Sequence, residues 1–200
     1  MNRLNFDYTS EQIIGGERVS YGIIEGNENI LLIKAGLGGD HLGYDNKYLK
    51  IADNLNKIHG CSVLSISNPN SRLLGAELDR RLLLDFSSHL GFDSGKLYLF
   101  ACSNGCIKGL ELASLGVEFN RMMLINMPLM INFHKSCKIL SAIKNTEIIT
   151  VYGEKDPSFP YIPYLRGKSE RLSVLTVDGA DHNFCNMTDR LINLSEKLII

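Results

Sequence analysis

The chain has no tryptophan, which decides nothing by itself, but its other shortages exclude whole classes of protein. No apolar run is long enough to span a bilayer, and the start, Met1-Asn2-Arg3-Leu4-Asn5-Phe6-Asp7-Tyr8, lacks the apolar stretch of a signal peptide. The expectation is a cytoplasmic protein with no membrane span. An excess of one charge is also missing. Formal net charge is -1 and the basic residues are scattered, so there is no positive stripe for a phosphate backbone and nucleic acid is not an expected partner.

Five cysteines (Cys61, Cys102, Cys106, Cys137, Cys185) form an odd set without a CxxC pair, which argues against a disulfide framework and a thiolate zinc site. Five histidines (His41, His59, His89, His134, His182) show neither HExxH nor H-x-H spacing, so no metal is expected. Repeats, low-complexity tracts and Pro/Ser-rich linkers are absent, so nothing marks a boundary. One domain over residues 1–200 is the default at this length.

What is present reads as an ordinary globular composition, 44% hydrophobic and 22% charged. Apolar alternation at Leu4, Phe6 and Tyr8, and again at Val19, Tyr21 and Ile23, predicts antiparallel edge strands, followed by a turn at Gly26-Asn27-Glu28-Asn29. The texture then changes to short apolar runs without alternation: 30–34, 62–66, 97–100, 122–125, 148–152 and 172–177. Strands of that kind are buried on both faces, as in a parallel sheet. Helical patterns at 48–57, 78–90, 103–115, 133–143 and 187–198 alternate with them. The predicted class is α/β: a mostly parallel sheet of about eight strands with helices on both faces, a three-layer sandwich. Ligands of such sheets bind beyond the carboxyl ends of the strands, so the loops there are where chemistry is sought.

The run Leu97-Tyr98-Leu99-Phe100 passes into Ala101-Cys102-Ser103-Asn104-Gly105 and then a helical pattern. This is the small-x-Ser-x-small arrangement of a nucleophile elbow, where crowded backbones demand small residues two before and two after the nucleophile. Ala101 and Gly105 meet that demand for Ser103. Cys102 is a rival nucleophile by its intrinsic reactivity, but with Cys102 at the apex the crowded positions would be Phe100 and Asn104. A serine that merely caps a helix is the bland alternative.

After the run 30–34 comes Ala35-Gly36-Leu37-Gly38-Gly39-Asp40-His41, glycine-rich enough to bring backbone close to a ligand. By position the amides of Leu37 and Asn104 are assigned to bind an oxyanion. A phosphate loop is the competing reading, but neither GxGxxG nor GxxxxGK[ST] fits, and a plain glycine turn also stands. His41 is read as a loop residue.

The run 148–152 ends in Gly153-Glu154-Lys155-Asp156-Pro157, and the run 173–177 leads to Asp178-Gly179-Ala180-Asp181-His182-Asn183-Phe184-Cys185. Asp156 is the candidate to accept the Nδ1 proton of His182, with Glu154 as runner-up and an Asp-Pro turn as the structural alternative. His182 is the candidate base.

Taken together, Ala35-Gly36-Leu37-Gly38-Gly39, Ala101-Cys102-Ser103-Asn104-Gly105, Tyr152-Gly153-Glu154-Lys155-Asp156-Pro157 and Gly179-Ala180-Asp181-His182-Asn183-Phe184 resemble the α/β-hydrolase family over nearly the whole chain. Each motif is weak alone; four in that order are specific. The resemblance implies an eight-stranded sheet and a Ser-His-Asp triad at Ser103, His182 and Asp156. Two departures are Ala101, where the family most often has Gly, and Ala35, where many members have His.

On that reading the partner is a small-molecule acyl substrate, a carboxylic ester or thioester, cleaved through an acyl-enzyme with no metal and no organic cofactor. A peptidase or amidase of the same fold and a non-catalytic binding member are the alternatives, and self-association is left open. About twenty residues separate the strand at 122–125 from the acid strand, enough for one helix, so no large cap is expected. Met127 and Leu129 are read as one apolar wall for an acyl chain and Phe159 as the opposite wall, with ordinary core packing as the competing reading.

Overall fold

The computed structural model describes residues 4–69, 75–89 and 95–199. Its first pair of strands, β1 (Tyr8–Ile14) and β2 (Glu17–Ile24), is an antiparallel hairpin in the register Tyr8↔Ile23 to Ile14↔Glu17. Gly15 and Gly16 close it, both at positive φ (59° and 82°), the backbone region that tight hairpin turns require. The remaining strands are β3 (Asn27–Lys34), β4 (Cys61–Ile66), β5 (Leu97–Cys102), β6 (Arg121–Ile125), β7 (Glu147–Gly153) and β8 (Leu172–Val177). Among the described residues these eight form one sheet in the order β1-β2-β4-β3-β5-β6-β7-β8. β2 meets β4 antiparallel, and every pairing from β4 to β8 is parallel.

The first strand lies further along the chain than the sequence pattern predicts. Leu4 and Phe6 do not sit in it: Phe6 is buried in the core and Leu4 packs beside it as a lead-in segment. Residues 8–14 are half-exposed or exposed throughout, so they carry little apolar alternation to detect. The turn expected at 26–29 is a register shift at the start of β3, where the Asn29 amide donates to Asn27 Oδ1 at 2.9 Å.

Helix α1 (Lys47–His59) and helix α5 (Thr188–Ser195) cover one face; α2 (Ala76–His89), α3 (Asn104–Ser114) and α4 (Leu129–Ala142) cover the other. Alternate residues of β3 show the division: Leu31 and Ile33 pack under α1, Ile30 and Leu32 under the opposite helices, and all four are fully buried. Both faces being dry explains the continuous apolar runs. The end of the predicted second helix, Leu90, lies outside the described residues. Helix α4 starts four residues earlier than its apolar pattern suggests, because Pro128 precedes it and Ser158 Oγ accepts the Leu129 N–H at 3.0 Å. The final helical pattern divides into α5 and a 3-10 turn at Glu196–Leu198. No helix among the described residues is long and apolar enough to cross a membrane.

Candidate active site

Residue 103 is where the chain turns from β5 into α3, and Ser103 has φ 50° and ψ -125°, a conformation that costs an L-residue about 1–3 kcal/mol. The turn is held by the Ser103 amide donating to the Ile125 carbonyl at 2.8 Å and by the Cys106 amide donating to the Ser103 carbonyl at 2.9 Å. The small neighbours have a steric cause. A Cβ on Gly105 would lie 2.4 Å from the Ala35 carbonyl oxygen and 2.6 Å from that of Lys34, and Ala101 is fully buried. Cys102 points into the core instead, and burial pushes its thiol pKa up, against the opposing pull of Lys47 and the Tyr48 hydroxyl.

The loop after β8 brings His182 Nε2 to 2.8 Å from Ser103 Oγ, while His182 Nδ1 is 2.5 Å from Asp156 Oδ2. The carboxylate can only accept, so Nδ1 carries the proton it donates and Nε2 is left to accept from the serine hydroxyl. Asp156 is 3% exposed, and its second oxygen accepts the Ser158 amide at 2.7 Å. Glu154, the runner-up, is engaged elsewhere: its Oε2 accepts the Gly179 amide at 2.8 Å on the exposed side of the loop.

Two asparagines that the sequence reading passed over hold these loops. Asn126 ends β6 in the left-handed region (φ 49°), and its Nδ2 donates to the carbonyls of Asp181 (3.1 Å) and His182 (2.9 Å). Its Oδ1 accepts the Gly153 amide at 2.9 Å, so one buried side chain joins the acid-bearing strand to the histidine loop. Asn68, just past β4, holds the glycine loop. Its backbone carbonyl accepts the Gly38 amide (2.7 Å), its amide donates to the Gly39 carbonyl (2.8 Å), and its Nδ2 donates to the Ala35 carbonyl (3.1 Å). An asparagine after a strand looks like any turn former, and partners at long separation leave no local signal.

The histidine loop has further braces. Lys47 Nζ donates to the Asn183 carbonyl at 3.2 Å. Asp181 Oδ1 accepts the amides of Cys185 (2.9 Å) and Asn183 (3.1 Å), and the Cys185 amide is the main cause holding its carboxyl below the usual range.

The glycine loop lies against Ser103: a Cβ on Gly36 would stand 3.2 Å from the Ser103 Cβ. Among the described residues the Leu37 and Asn104 amides have no hydrogen-bond partner, and Leu37 itself is exposed. His41 stays outside this cluster, its Nδ1 2.9 Å from Ser20 Oγ. No group of three or more His, Cys, Asp or Glu among the described residues is arranged to hold a metal ion.

The three residues expected to form pocket walls lie in or against the core. Met127 is fully buried in the core cluster that also holds residues of α3 and α4, so it offers no surface to a ligand. Leu129 is also fully buried, and Phe159 is half-buried against the same core. A groove of about 690 Å³ does open here, between the start of α4 and the 3-10 turn Phe159–Tyr164. Leu129, Met130, Ile131, Phe133, Tyr161 and Tyr164 line it together with the polar His134 and Lys135, and the Phe133 and Tyr164 rings meet edge to face at 6.2 Å.

No protein-family model matches the sequence, and no curated protein matches it. Solved structures do match the whole architecture. Est1E from Butyrivibrio proteoclasticus superposes with a TM-score of 0.73 at 11% identity, covering 94% of this chain and 96% of that one. An alpha-beta serine hydrolase homologue from Coxiella burnetii gives 0.72 at 14% identity over 98% and 99% of the two chains. An esterase from Pyrobaculum calidifontis gives 0.68 at 12% identity over 96% and 84%. The chain has the α/β-hydrolase fold.

Proposed function

We propose that the protein is a serine hydrolase cleaving a carboxylic ester or thioester, built as one domain without a large cap. The observation that carries this reading is the continuous chain of side chains from Ser103 Oγ through His182 to a buried Asp156, at 2.8 and 2.5 Å. Structural neighbours that include an esterase and a serine hydrolase homologue are consistent with it.

Ser103 Oγ attacks the substrate carbonyl carbon as its proton passes to His182 Nε2, and Asp156 stabilises the imidazolium. The amides of Leu37 and Asn104 donate to the oxyanion, aided by the positive end of α3. Collapse breaks the bond to the leaving oxygen or sulfur, which takes the proton from His182 and leaves the acyl group on Ser103. Water then attacks the acyl-enzyme, giving its proton to His182, and the second collapse releases the acid and returns that proton to Ser103. The sequence of steps requires only water as co-reactant.

The groove beside α4, whose lining includes none of Ser103, Asp156 and His182, is the proposed seat of an apolar part of the substrate remote from the reacting carbonyl. Its aromatic lining suits a flat acyl group, and a second structure of Est1E has ferulic acid bound. The test is a panel of nitrophenyl, feruloyl and thioester substrates with amides alongside. Turnover of esters, reduced by at least about 10⁴-fold in Ser103→Ala, is the expected result. Preferential turnover of amides would favour a peptidase, and no turnover of any substrate would contradict the reading.

A further inference from the structure

We propose that Asn68 is a positioning residue for the oxyanion hole, locking its two halves, the glycine loop and the first turn of α3, into one register. The inference rests on the serine-hydrolase reading and adds a residue to it.

The two donors assigned to the oxyanion come from unconnected parts of the chain. The Leu37 amide belongs to the loop after β3; the Asn104 amide belongs to the start of α3 after β5. A hole made of two such amides works only if both point at the same atom before the charge develops, since reorientation during reaction would consume the gain. Something must fix each loop and tie one to the other.

Asn68 touches both. It grips the glycine loop by its own backbone at Gly38 and Gly39, on either end of a two-way exchange. Its side chain then donates from Nδ2 to the Ala35 carbonyl at 3.1 Å and to Asn104 Oδ1 at 3.3 Å. The orientation of the carboxamide is fixed by chemistry, because a carbonyl oxygen can only accept. The Ala35 carbonyl is also the atom that the absent Cβ of Gly105 would strike, so it is confined between Asn68 on one side and the turn after Ser103 on the other. Fixing that carbonyl fixes the peptide leading into Gly36 and Leu37. Asn68 is 3% exposed, so solvent does not compete for these bonds.

A residue acting this way affects the transition state more than substrate binding, because the ground-state carbonyl draws little from the hole. Asn68→Ala keeps the backbone bonds and removes only the two side-chain donations. It should lower kcat by about 10- to 100-fold, short of the loss seen when a direct donor is removed, while KM changes less than about twofold. Asn68→Asp replaces the donor by an acceptor of the same shape. Its kcat deficit relative to wild type at each pH should be deepest at pH 8 and shrink toward pH 5, as the carboxyl protonates and regains an O–H to donate to Ala35.

Asn104→Ala, at the half-exposed first position of α3, removes the other end of the bridge without touching the core. It should reduce kcat severalfold, and the double variant should lose less than the product of the single losses. This pair keeps the question answerable if Asn68→Ala melts below the assay temperature. Asn68→Ala with wild-type kcat, a pH-independent deficit in Asn68→Asp, or fully multiplicative losses with Asn104→Ala would each overturn the inference. The underlying reading is judged separately, on the wild-type protein: failure to turn over any ester and to react with a fluorophosphonate would remove the hydrolase itself, whatever the variants do.

Discussion

The carbonyl oxygen of Ala35 and the α-carbon of Gly105 are packed so tightly that a single methyl on Gly105 would sit 2.4 Å from that oxygen. The contact joins the loop after β3 to the first turn of α3, which is where the two candidate oxyanion amides reside. Nothing flexible faces the missing Cβ: the opposing atoms are backbone. Gly105→Ala should therefore destabilise the protein by about 3 kcal/mol or more, read as a shift in the denaturation midpoint. Gly75→Ala, where a Cβ would meet nothing within 4 Å, serves as the control and should be close to neutral.

A buried ion pair lies beneath the same loop. Lys34 Nζ is 2.8 Å from Asp79 Oδ1 and 2.6 Å from the Ser67 carbonyl, with both side chains at most 4% exposed. Removing one partner leaves a charge with no solvent to receive it, so Lys34→Met should cost about 3–5 kcal/mol. Lys34→Met/Asp79→Leu should recover most of that loss. Chemical denaturation of the four members of the cycle measures the coupling; additive losses would show that the pair is not acting as a unit.

The histidine loop supplies a prediction about acid. Asp181 has its carboxyl pKa lowered, chiefly by the Cys185 amide, so its contribution to stability is fully present above the ordinary carboxylate range near 3.8 and disappears as pH falls through the lowered folded value. Asp181→Ala should be less stable than wild type by about 0.5–1 kcal/mol at pH 7, the modest figure reflecting a half-exposed residue whose carboxylate is screened by solvent. The gap should stay constant down to about pH 4 and close below it. Melting curves of both proteins across pH 2–7 check the sign, and a gap that widened in acid would contradict it.

Much of the sheet is legible in the sequence because the central residues of β3 through β7 are covered on both faces and are therefore mostly apolar. The positions of Ser103, Asp156 and His182, each one loop past its own strand, follow from that same reading. The hairpin strand β1 was not legible, since residues that face solvent need not alternate. Nor was the start of α4, set by Ser158 from a distant loop rather than by its own apolar spacing. Met127 shows the limit of reading walls from composition: an apolar residue after a strand serves the core or the cleft according to which way the chain turns. Asn68 and Asn126 escaped notice because the partners of their side chains lie 27 or more residues away.

The cysteines give a test that separates the two adjacent candidates for nucleophile. Cys102 is buried and its thiol pKa is raised by desolvation; the Cys185 thiol is also raised, chiefly by its contact with the Asp181 carboxylate, but it is exposed, so access separates the two. Mild alkylation of the folded protein should therefore modify Cys185 and spare Cys102. Cys102→Ala should keep turnover of the wild type's substrates within about threefold, the small loss coming from packing beside the turn. Loss of activity as severe as in Ser103→Ala would move the chemistry to the thiol.

The most direct test of the central claim is the mass of the intact protein after exposure to a fluorophosphonate, with the adduct mapped by peptide sequencing. A nucleophilic Ser103 predicts a single phosphonyl adduct on that residue, formed by wild type and absent from both Ser103→Ala and His182→Ala when all three are folded. An unmodified wild-type protein, or an adduct carried on another residue, would contradict it.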